Sequence, residues 1–418
     1  MRTKVSKLAV VLTGMVVLAA AMGIYVYSRD SEGDPRPASE TPMQSTAENT
    51  QSNQQETPRE TIMPTKPAVA HHWRGVMIDV ARNFLGVDDV IELMDLAQSL
   101  QLNRFHMHLS DDQGWRLEIP GWPKLTERSG GTSVAGANCG YYTVSEWRRL
   151  VRAAAARDLI IVPEIDLPGH TNAALHAIEG LNIDGVRPEP YTGMQVGHSS
   201  LHLAAPETER FVKEILSFVA RESHGYVHIG GDEADATSRE EYAAIVSMAV
   251  DIVHRSGAKV VAWQEAAPFL SEGDLIQLWD DRQDYAPIAE ATQRGAQVIL
   301  SPAYYVYFDM KYSDAEVMGT TWNRRIEIQD TAAWDPLADL GPIPAEAVIG
   351  VEAALWSETL RTRADYEYML LPRLAAFSEI AMNGPLDWEE FAEELPDLAR
   401  SWDNKGWNWH ASPGVDWD

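Results

Sequence analysis

The chain has 418 residues, and its 62 acidic against 34 basic residues give a formal net charge of −28. A surface of that sign repels a phosphate backbone, so we expect no nucleic-acid partner. The single cysteine excludes an internal disulfide framework and a CxxC metal site, while 45% hydrophobic residues suffice for the core of one large domain.

The first 27 residues have the composition of an export segment. Basic residues at Arg2, Lys4 and Lys7 precede an uncharged run from Leu8 to Tyr27. A run of about 20 such residues can span a bilayer as a helix and is longer than a usual signal-peptide core. We predict a membrane anchor over residues 1–27, or else a signal peptide cleaved near the Ala19–Ala21 triplet. Both alternatives place the rest of the chain outside the cytoplasm, either anchored or secreted, because the positive flank stays inside.

Residues 28–70 differ sharply from this segment. They are rich in Ser, Thr, Pro, Glu and Gln and lack any apolar periodicity. A segment of this composition cannot bury enough apolar surface to fold. We therefore predict a disordered linker between the hydrophobic N-terminal helix and the rest of the chain.

From residue 71 to residue 418, short β-branched runs alternate with amphipathic stretches. This alternation indicates βα units in a parallel sheet, and eight units indicate a closed barrel. We predict one α/β domain, a TIM (β/α)8 barrel, with a doubly wound open sheet as the alternative. The predicted strands are 75–80, 104–109, 159–165, 227–231, 259–263, 275–278, 297–300 and 348–354, and the clearest helices are 87–100, 145–157, 206–221 and 239–255.

Nearly every predicted strand ends in side chains that can do chemistry, and barrel active sites form at this end. Carboxylates can bind hydroxyls and transfer protons, and the flat faces of tryptophan rings match the faces of pyranose sugars. The composition therefore predicts a carbohydrate site. The residues concerned are His106, His108, Asp111, Asp112, Glu164, His170, Asp232, Glu233, Trp263, Trp279, Tyr307, Asp309, Trp356 and Glu358.

Six motifs, in this order, resemble glycosyl hydrolase family 20, the β-N-acetylhexosaminidases. They are RGVMIDVAR at 74–82, HMHLSDDQGW at 106–115, PEIDLPGH at 163–170, HIGGDE at 228–233, YFD at 307–309 and LWSE at 355–358. In starting its barrel directly after the linker, the chain looks like the family members that lack a small α/β domain before the barrel. The resemblance implies an exo-acting enzyme that removes terminal β-linked N-acetylglucosamine or N-acetylgalactosamine from glycans, without a cofactor or metal.

The resemblance also implies a division of labour within the site. Glu233 is expected to be the general acid and base, Asp232 to orient the substrate acetamide, and Tyr307 to donate to the acetamide oxygen. An apolar box around the acetamide methyl is expected from Trp263, Trp279 and Trp356. The sugar hydroxyls are expected to be bound by Arg74, Asp309 and Glu358, while His170 with Asp111 or Asp112 forms a relay behind Glu233, supported by Glu164 and His228.

The adjacency of Asp232 and Glu233 bears on the mechanism. Neighbouring residues of a strand point to opposite faces, so the pair is poorly suited to bracket one sugar carbon from two sides. The resemblance implies instead that the acetamido oxygen of the substrate attacks C1, giving an oxazolinium intermediate and retention of configuration.

Two interpretations from other classes remain open in the sequence. His106 and His108 lie two apart on a barrel strand, which is also a ligand pattern of metal-dependent barrel hydrolases. A catalytically silent sugar-binding protein would keep the aromatic rim for recognition alone. The intact set of Asp232, Glu233 and Tyr307 favours catalysis over both alternatives.

Overall fold

The computed structural model describes residues 71–417 of the chain. The anchor and linker predicted for residues 1–70 lie outside the described residues. Among the helices of residues 71–417, none combines the length and the apolar character needed to cross a bilayer.

Within residues 71–417, eight parallel strands close into a barrel in which β8 pairs with β1. This confirms the predicted α/β barrel and excludes the open sheet. The strands are β1 Trp73–Asp79, β2 Arg104–His108, β3 Ile160–Glu164, β4 Tyr226–His228, β5 Lys259–Trp263, β6 Leu275–Leu278, β7 Gln297–Leu300 and β8 Val348–Leu355. The fourth strand ends three residues earlier than predicted, because Gly230 and Gly231 adopt positive φ angles that leave the sheet.

The helices surround the barrel, and all four predicted ones are present with ends shifted by at most two residues. In the second of them, Thr143 and Glu146 form a capping box that fixes where the helix begins. The helices are α1 Val87–Ser99, α2 Lys124–Ser129, α3 Val144–Ala155, α4 Asn172–Ala177, α5 Thr208–Arg221, α6 Arg239–Arg255, α7 Ala286–Gln293, α8 Ala303–Val306, α9 Ile328–Ala332, α10 Arg363–Leu370, α11 Arg373–Asn383 and α12 Trp388–Lys405.

The barrel interior changes in character along its axis. Around Trp73, the first residue of β1, a small apolar cluster fills the lumen. The indole N–H of Trp73 donates to Glu352 at 2.7 Å. Glu352 is the first of a layer of buried ionisable groups. At the carboxyl ends of the strands, the interior becomes aromatic, with Trp263 and Trp356 in one cluster. The polar layer therefore lies beneath an aromatic floor at the end where barrel enzymes carry their sites.

Candidate active site

A cavity of about 530 Å³ opens at the carboxyl ends of the strands. A larger cavity of about 700 Å³, between residues 121–124 and 178–185, contains none of the predicted site residues. The chemistry therefore lies in the smaller cavity, which we call the rim pocket. It is lined by Arg82, Met194, Val196, Asp232, Glu233, Trp279, Arg282, Tyr307, Asp309, Thr320, Thr321, Trp322, Trp356 and Glu358.

The turn after β4 carries the carboxylate pair into this pocket. Gly230 and Gly231 have φ angles of 67° and 106°, and a Cβ on Gly230 would lie 1.8 Å from an oxygen of Asp166. Glu233 itself has a φ of 45°, a conformation that non-glycine residues rarely adopt. Because Asp232 and Glu233 lie beyond the strand, the strict alternation of a strand does not apply to them. Both line the same pocket, which corrects the expectation of opposite faces.

The two carboxylates differ in their surroundings. The side chain of Asp232 is 10% exposed and that of Glu233 is 34% exposed. Burial, reinforced by the carboxylate of Asp166, raises the pKa of Asp232 well above its ordinary value. One carboxylate oxygen of Asp232 is buried and has no hydrogen-bond partner among residues 71–417. Such an acceptor is costly to leave unpaired, so it is suited to a donor from a ligand.

His170 stands behind the pair, as expected. Its Nε2 lies 3.5 Å from Glu233 and 3.7 Å from Asp232, and its Nδ1 lies 3.3 Å from Asp111. The sequence left Asp111 and Asp112 as alternatives for this relay, and the structure places Asp111 in it.

Asp112 has a different position. It accepts hydrogen bonds from the backbone of Asn172 and from the hydroxyl of Ser199. It therefore anchors the loop before α5 to the start of α4, and among residues 71–417 its hydrogen bonds go to neither His170 nor Glu233. The expectation that Asp112 belongs to the sugar site is not supported by this geometry.

From Asp111 a column of alternating carboxylates and imidazoles runs into the barrel. His108 lies 2.8 Å from Asp111 and 2.5 Å from Glu164. His106 in turn lies 3.1 Å from Glu164 and 2.8 Å from Glu352. We call these groups, Asp111, His108, Glu164, His106 and Glu352, the interior column. His108 is hydrogen-bonded to a carboxylate at both ring nitrogens, so both act as donors when the ring is charged. His106 is hydrogen-bonded to Glu352 through Nδ1, while its Nε2 faces Glu164 as an ion pair without a hydrogen bond.

Mutual attraction outweighs burial within this column. Burial alone would raise the pKa of Asp111 and Glu164, but the facing cations, Arg82 for Asp111 and His108 for Glu164, hold both well below their ordinary values. Burial lowers the pKa of His106, yet Glu164 and Glu352 raise it to about 9.

The same contacts answer the metal-ligand interpretation of His106 and His108. One ligand atom each from His106, Glu164 and His228 could lie within 4.8 Å of one another around an ion. Both oxygens of Glu164 are already paired, however, one with His108 and the other with Trp263 at 2.9 Å. The histidines are thus accounted for as partners of carboxylates.

Aromatic rings form the floor and one wall of the pocket. Trp279 stacks on Tyr307 with a centroid distance of 6.2 Å and an interplanar angle of 16°. Trp356 packs against Tyr307 and against Trp263, at 6.2 and 6.0 Å. Trp263 is completely buried beneath Trp356 and does not line the pocket itself. Of the three predicted box tryptophans, two therefore face the pocket and the third supports them.

Trp322 was not predicted. It is 46% exposed and packs edge-on against Trp279 and Tyr307 at the mouth of the pocket. It lies in an irregular loop where no periodicity or motif singles it out, so the sequence offered no signal beyond its residue type.

The predicted arginine is wrong. Arg74 is the second residue of β1, at the opposite end of the barrel, where its guanidinium donates to the carbonyls of His71 and Gln101. Arg82, which follows the carboxyl end of the same strand, lines the pocket instead. It lies 2.7 Å from Asp111 and 3.6 Å from Asp79, with its guanidinium over the ring of Trp356. The direction of β1 explains why Arg82 and not Arg74 lines the pocket. The strand runs towards the rim pocket, so only residues that follow Asp79 reach it.

Asp309 and Glu358 take the expected places beside Arg82. Each has one buried carboxylate oxygen without a hydrogen-bond partner among residues 71–417. Burial, together with the charge of Glu358, raises the pKa of Asp309 to about 7. A cation and two acceptors without partners in one pocket suit the hydroxyl groups of a terminal sugar.

Comparisons with known proteins agree with this geometry. The family model described as glycosyl hydrolase family 20, catalytic domain, matches residues 71–249 and 236–385. A β-N-acetylhexosaminidase from Cellulomonas fimi is 44% identical over 349 residues, which is 82% of this chain and 70% of that protein. A β-hexosaminidase from Porphyromonas gingivalis is 29% identical, and this chain spans half of its length.

Solved structures give the same result. The family-20 β-N-acetylhexosaminidase of Streptomyces coelicolor A3(2) is 40% identical, with a TM-score of 0.81 over 83% of this chain and 72% of that one. A mutant β-hexosaminidase of Streptomyces plicatus, solved with its product GlcNAc, is 42% identical, with a TM-score of 0.80 over 83% and 71% of the two chains. The chain therefore belongs to glycosyl hydrolase family 20 and is a β-N-acetylhexosaminidase.

Proposed function

We propose that the enzyme removes terminal β-linked N-acetylhexosamine residues by an exo-acting, retaining mechanism in which the acetamido group of the substrate is the nucleophile. One observation carries the proposal: consecutive carboxylates enter a single pocket from one turn. A pair placed in this way is not arranged to flank C1 from two sides, as a two-carboxylate glycosidase requires. One carboxylate is therefore free to handle the proton and the other to handle the acetamide.

In the first step, Glu233 protonates the glycosidic oxygen while the C1–O bond breaks and the acetamide oxygen bonds to C1. In the second step, water attacks C1, its proton passes to Glu233, and the oxazolinium ring opens. Glu233 is the more exposed member of the pair, so the leaving group and water can reach it. His170 lies close enough to orient its carboxyl group through both steps.

Asp232 and Tyr307 are proposed to hold the acetamide beneath C1. The unpaired buried oxygen of Asp232 accepts the acetamide N–H. Burial, with Asp232 as the next cause, raises the pKa of the Tyr307 hydroxyl well above its ordinary value, so this group keeps its proton and can donate. Trp279 and Trp356 enclose the methyl group between apolar faces. Positive charge that develops on the substrate favours the ionised form of Asp232, against the effect of burial.

Arg82, Asp309 and Glu358 are proposed to bind the hydroxyls of the terminal sugar. They line the pocket together, and the unpaired oxygens of both carboxylates are ready to accept from hydroxyl donors. These side chains occupy the space that a further sugar unit would need on that side of the terminal sugar. We therefore expect the enzyme to cleave from the chain end. The relative from Streptomyces plicatus, solved with GlcNAc as product, supports this class of substrate.

We also propose that the enzyme acts outside the cytoplasm, anchored by residues 1–27 or secreted. The support is the order of basic residues followed by a long uncharged run. Fractionation of cells that express the full chain, with protease added to intact cells, tests the point. Full-length enzyme that stays protected in the cytoplasmic fraction would contradict it.

The function itself is tested with the full chain on p-nitrophenyl β-N-acetylglucosaminide, the matching galactosaminide and the β-glucoside. Activity is expected on the acetamido sugars only. With methyl β-N-acetylglucosaminide, whose leaving group needs a general acid, Glu233→Gln should lower kcat/KM by about 10²–10⁴-fold. An unchanged rate in Glu233→Gln would show that Glu233 is not the general acid. Wild-type protein that binds GlcNAc without turnover would identify the silent sugar-binding alternative, and loss of activity with EDTA would identify the metal-dependent one.

A further inference from the structure

The turn that follows β5 holds Trp279 at two points. The side-chain oxygen of Gln264 accepts from the backbone N–H groups of Trp279 and Asp280, at 2.8 and 2.9 Å. Its amide group also donates to the carbonyl of Asp280 at 3.1 Å. The next residue, Glu265, accepts from the indole N–H of Trp279, with both oxygens at 3.3 Å. Two consecutive side chains therefore fix the backbone and the ring of one tryptophan.

This ring separates two spaces. On one side lies the rim pocket, where Trp279 stacks on Tyr307. On the other side lies a different cavity of about 700 Å³, separate from the one between residues 121–124 and 178–185. We call it the second cavity; it is lined by Glu265, Tyr242 and Gln283, and Glu233 also reaches it. A wall with open space behind it needs something to hold it in place, because close packing on that side is missing. The contact with Glu265 is made from that open side.

We propose that Glu265 is a positioning residue that sets the selectivity of the enzyme for the acyl group on the substrate nitrogen. It does so by holding the indole of Trp279 against the space that the acetamide methyl occupies. The proposal rests on the function proposed above, since it concerns the same pocket. Glu265 does not line the rim pocket, so it acts through Trp279 rather than on the sugar.

The electrostatic surroundings suit this task at neutral pH. Burial, reinforced by the carboxylate of Asp232, raises the pKa of Glu265 to about 8. The groups that face it are Asp232 after β4, Tyr242 on α6, and Trp279 and Gln283 after β6. A neutral Glu265 still accepts from the indole and adds no charge beside Asp232. Above about pH 8 its ionisation places a second negative charge next to Asp232 and Tyr307.

The test compares three variants of the full chain on p-nitrophenyl glucosaminides that carry N-acetyl or N-butanoyl groups. Glu265→Leu removes the acceptor, and Glu265→Gln keeps one acceptor oxygen but cannot ionise. Arg239→Gln, the control, changes an exposed residue that lines the same second cavity. In Glu265→Leu, the acetyl-to-butanoyl ratio of kcat/KM should fall on the order of tenfold, mainly through kcat for the acetyl substrate, because the nucleophilic oxygen loses its alignment.

Glu265→Gln should keep this ratio within about twofold of wild type, as should Arg239→Gln. It should also extend the alkaline side of the kcat/KM profile beyond that of the wild type. An unchanged acyl ratio in folded Glu265→Leu overturns the proposal, and Glu265→Ala gives the same comparison if the leucine variant does not fold. A wild-type enzyme without activity on the acetyl substrate would instead overturn the proposed function, so the two failures are distinguishable.

Discussion

Two sets of buried carboxylates lie close together at the top of this barrel and behave in opposite ways. Asp111 and Glu164, in the interior column, have pKa values held well below the ordinary range, against the effect of burial, by Arg82 and His108 respectively. Asp166 and Glu265, beside Asp232, are buried too, but burial raises their pKa to about 7 and about 8. The difference lies in the balance of neighbouring charges. Cations outweigh burial for Asp111 and Glu164. For Asp166 the attraction of His170 is offset by nearby carboxylates, and Glu265 has the carboxylate of Asp232 as its main charged neighbour, so burial prevails for both.

The comparison shows how one end of a barrel can hold carboxylates that stay ionised next to carboxyl groups that stay protonated near neutral pH. The interior column stays ionised and keeps His170 paired with Asp111 behind Glu233, the proposed general acid. The carboxyl groups around Asp232 hold their protons to higher pH. Under the proposed mechanism, Asp232 is then the group that ionises when a cationic intermediate forms. Preorganised charge on one side and an adjustable charge on the other suit an oxazolinium intermediate.

Removing the shared acceptor of the column should have the largest effect. Glu164→Gln leaves His106 and His108 each with a single carboxylate in a fully buried site, which should lower the free energy of unfolding by about 3–5 kcal/mol. Urea unfolding at pH 7 measures it. The matched variant is Asp166→Asn two residues later, which removes a carboxyl group that burial disfavours and should cost far less. Equal losses in the two variants would show that the distinction between the two sets is wrong.

The next effect concerns the cation that faces the column. Arg82→Lys keeps the charge but loses the planar contacts with Asp111 and Trp356, so kcat/KM should fall by about 10–100-fold. Arg74→Lys, at the opposite end of the barrel, should change stability by no more than about 0.5 kcal/mol and leave kcat/KM unaltered. A large loss of activity in Arg74→Lys alone would restore the arginine expected from the sequence.

The smallest effect is the pH dependence of stability, where the two sets act in opposite directions. The raised pKa values of Asp166 and Glu265 mean that the folded state keeps protons that the unfolded chain has already lost above about pH 4. Their contribution therefore declines as pH rises through about 7 and 8, and that of His106 declines up to about 9. The lowered pKa values of Asp111 and Glu164 contribute stability above their ordinary values that is lost in acid.

We therefore expect the melting temperature to be highest near pH 4–5 and to fall on the order of 5 °C by pH 9. Differential scanning calorimetry across this range provides the measurement, and Glu265→Gln should flatten the alkaline part of the curve. A melting temperature that rises steadily from pH 5 to pH 9 would contradict the raised values around Asp232.

The sequence predicted the barrel because the strand signal repeats locally, and each strand end carried its own chemistry. Asp232, Glu233, Tyr307, Asp309 and Glu358 could be found in this way. Positions set by distant contacts could not. Trp322 reaches the pocket through a loop that is fixed when Thr320 bonds to Asp309, and nothing near it in the chain indicates that fold.

Three further differences have simple physical causes. Arg74 and Arg82 belong to one motif, and only the point where β1 ends shows which of them reaches the rim. Glu265 carries no motif of its own, and its place behind Trp279 depends on how two neighbouring loops pack. Adjacent residues after β4 share a pocket because positive φ angles at Gly230, Gly231 and Glu233 turn the chain out of the strand, which alternation alone does not reveal.

The central claim, that the substrate provides the nucleophile, is tested most directly by weakening that nucleophile. Rates would be measured for p-nitrophenyl glucosaminides whose N-acetyl group carries zero, one, two or three fluorine atoms, which reduce the electron density on the acetamide oxygen. The account predicts a steep fall in kcat with each fluorine, because this oxygen forms the bond to C1. A rate that stays flat across the series would contradict it and would assign the attack to a group of the enzyme.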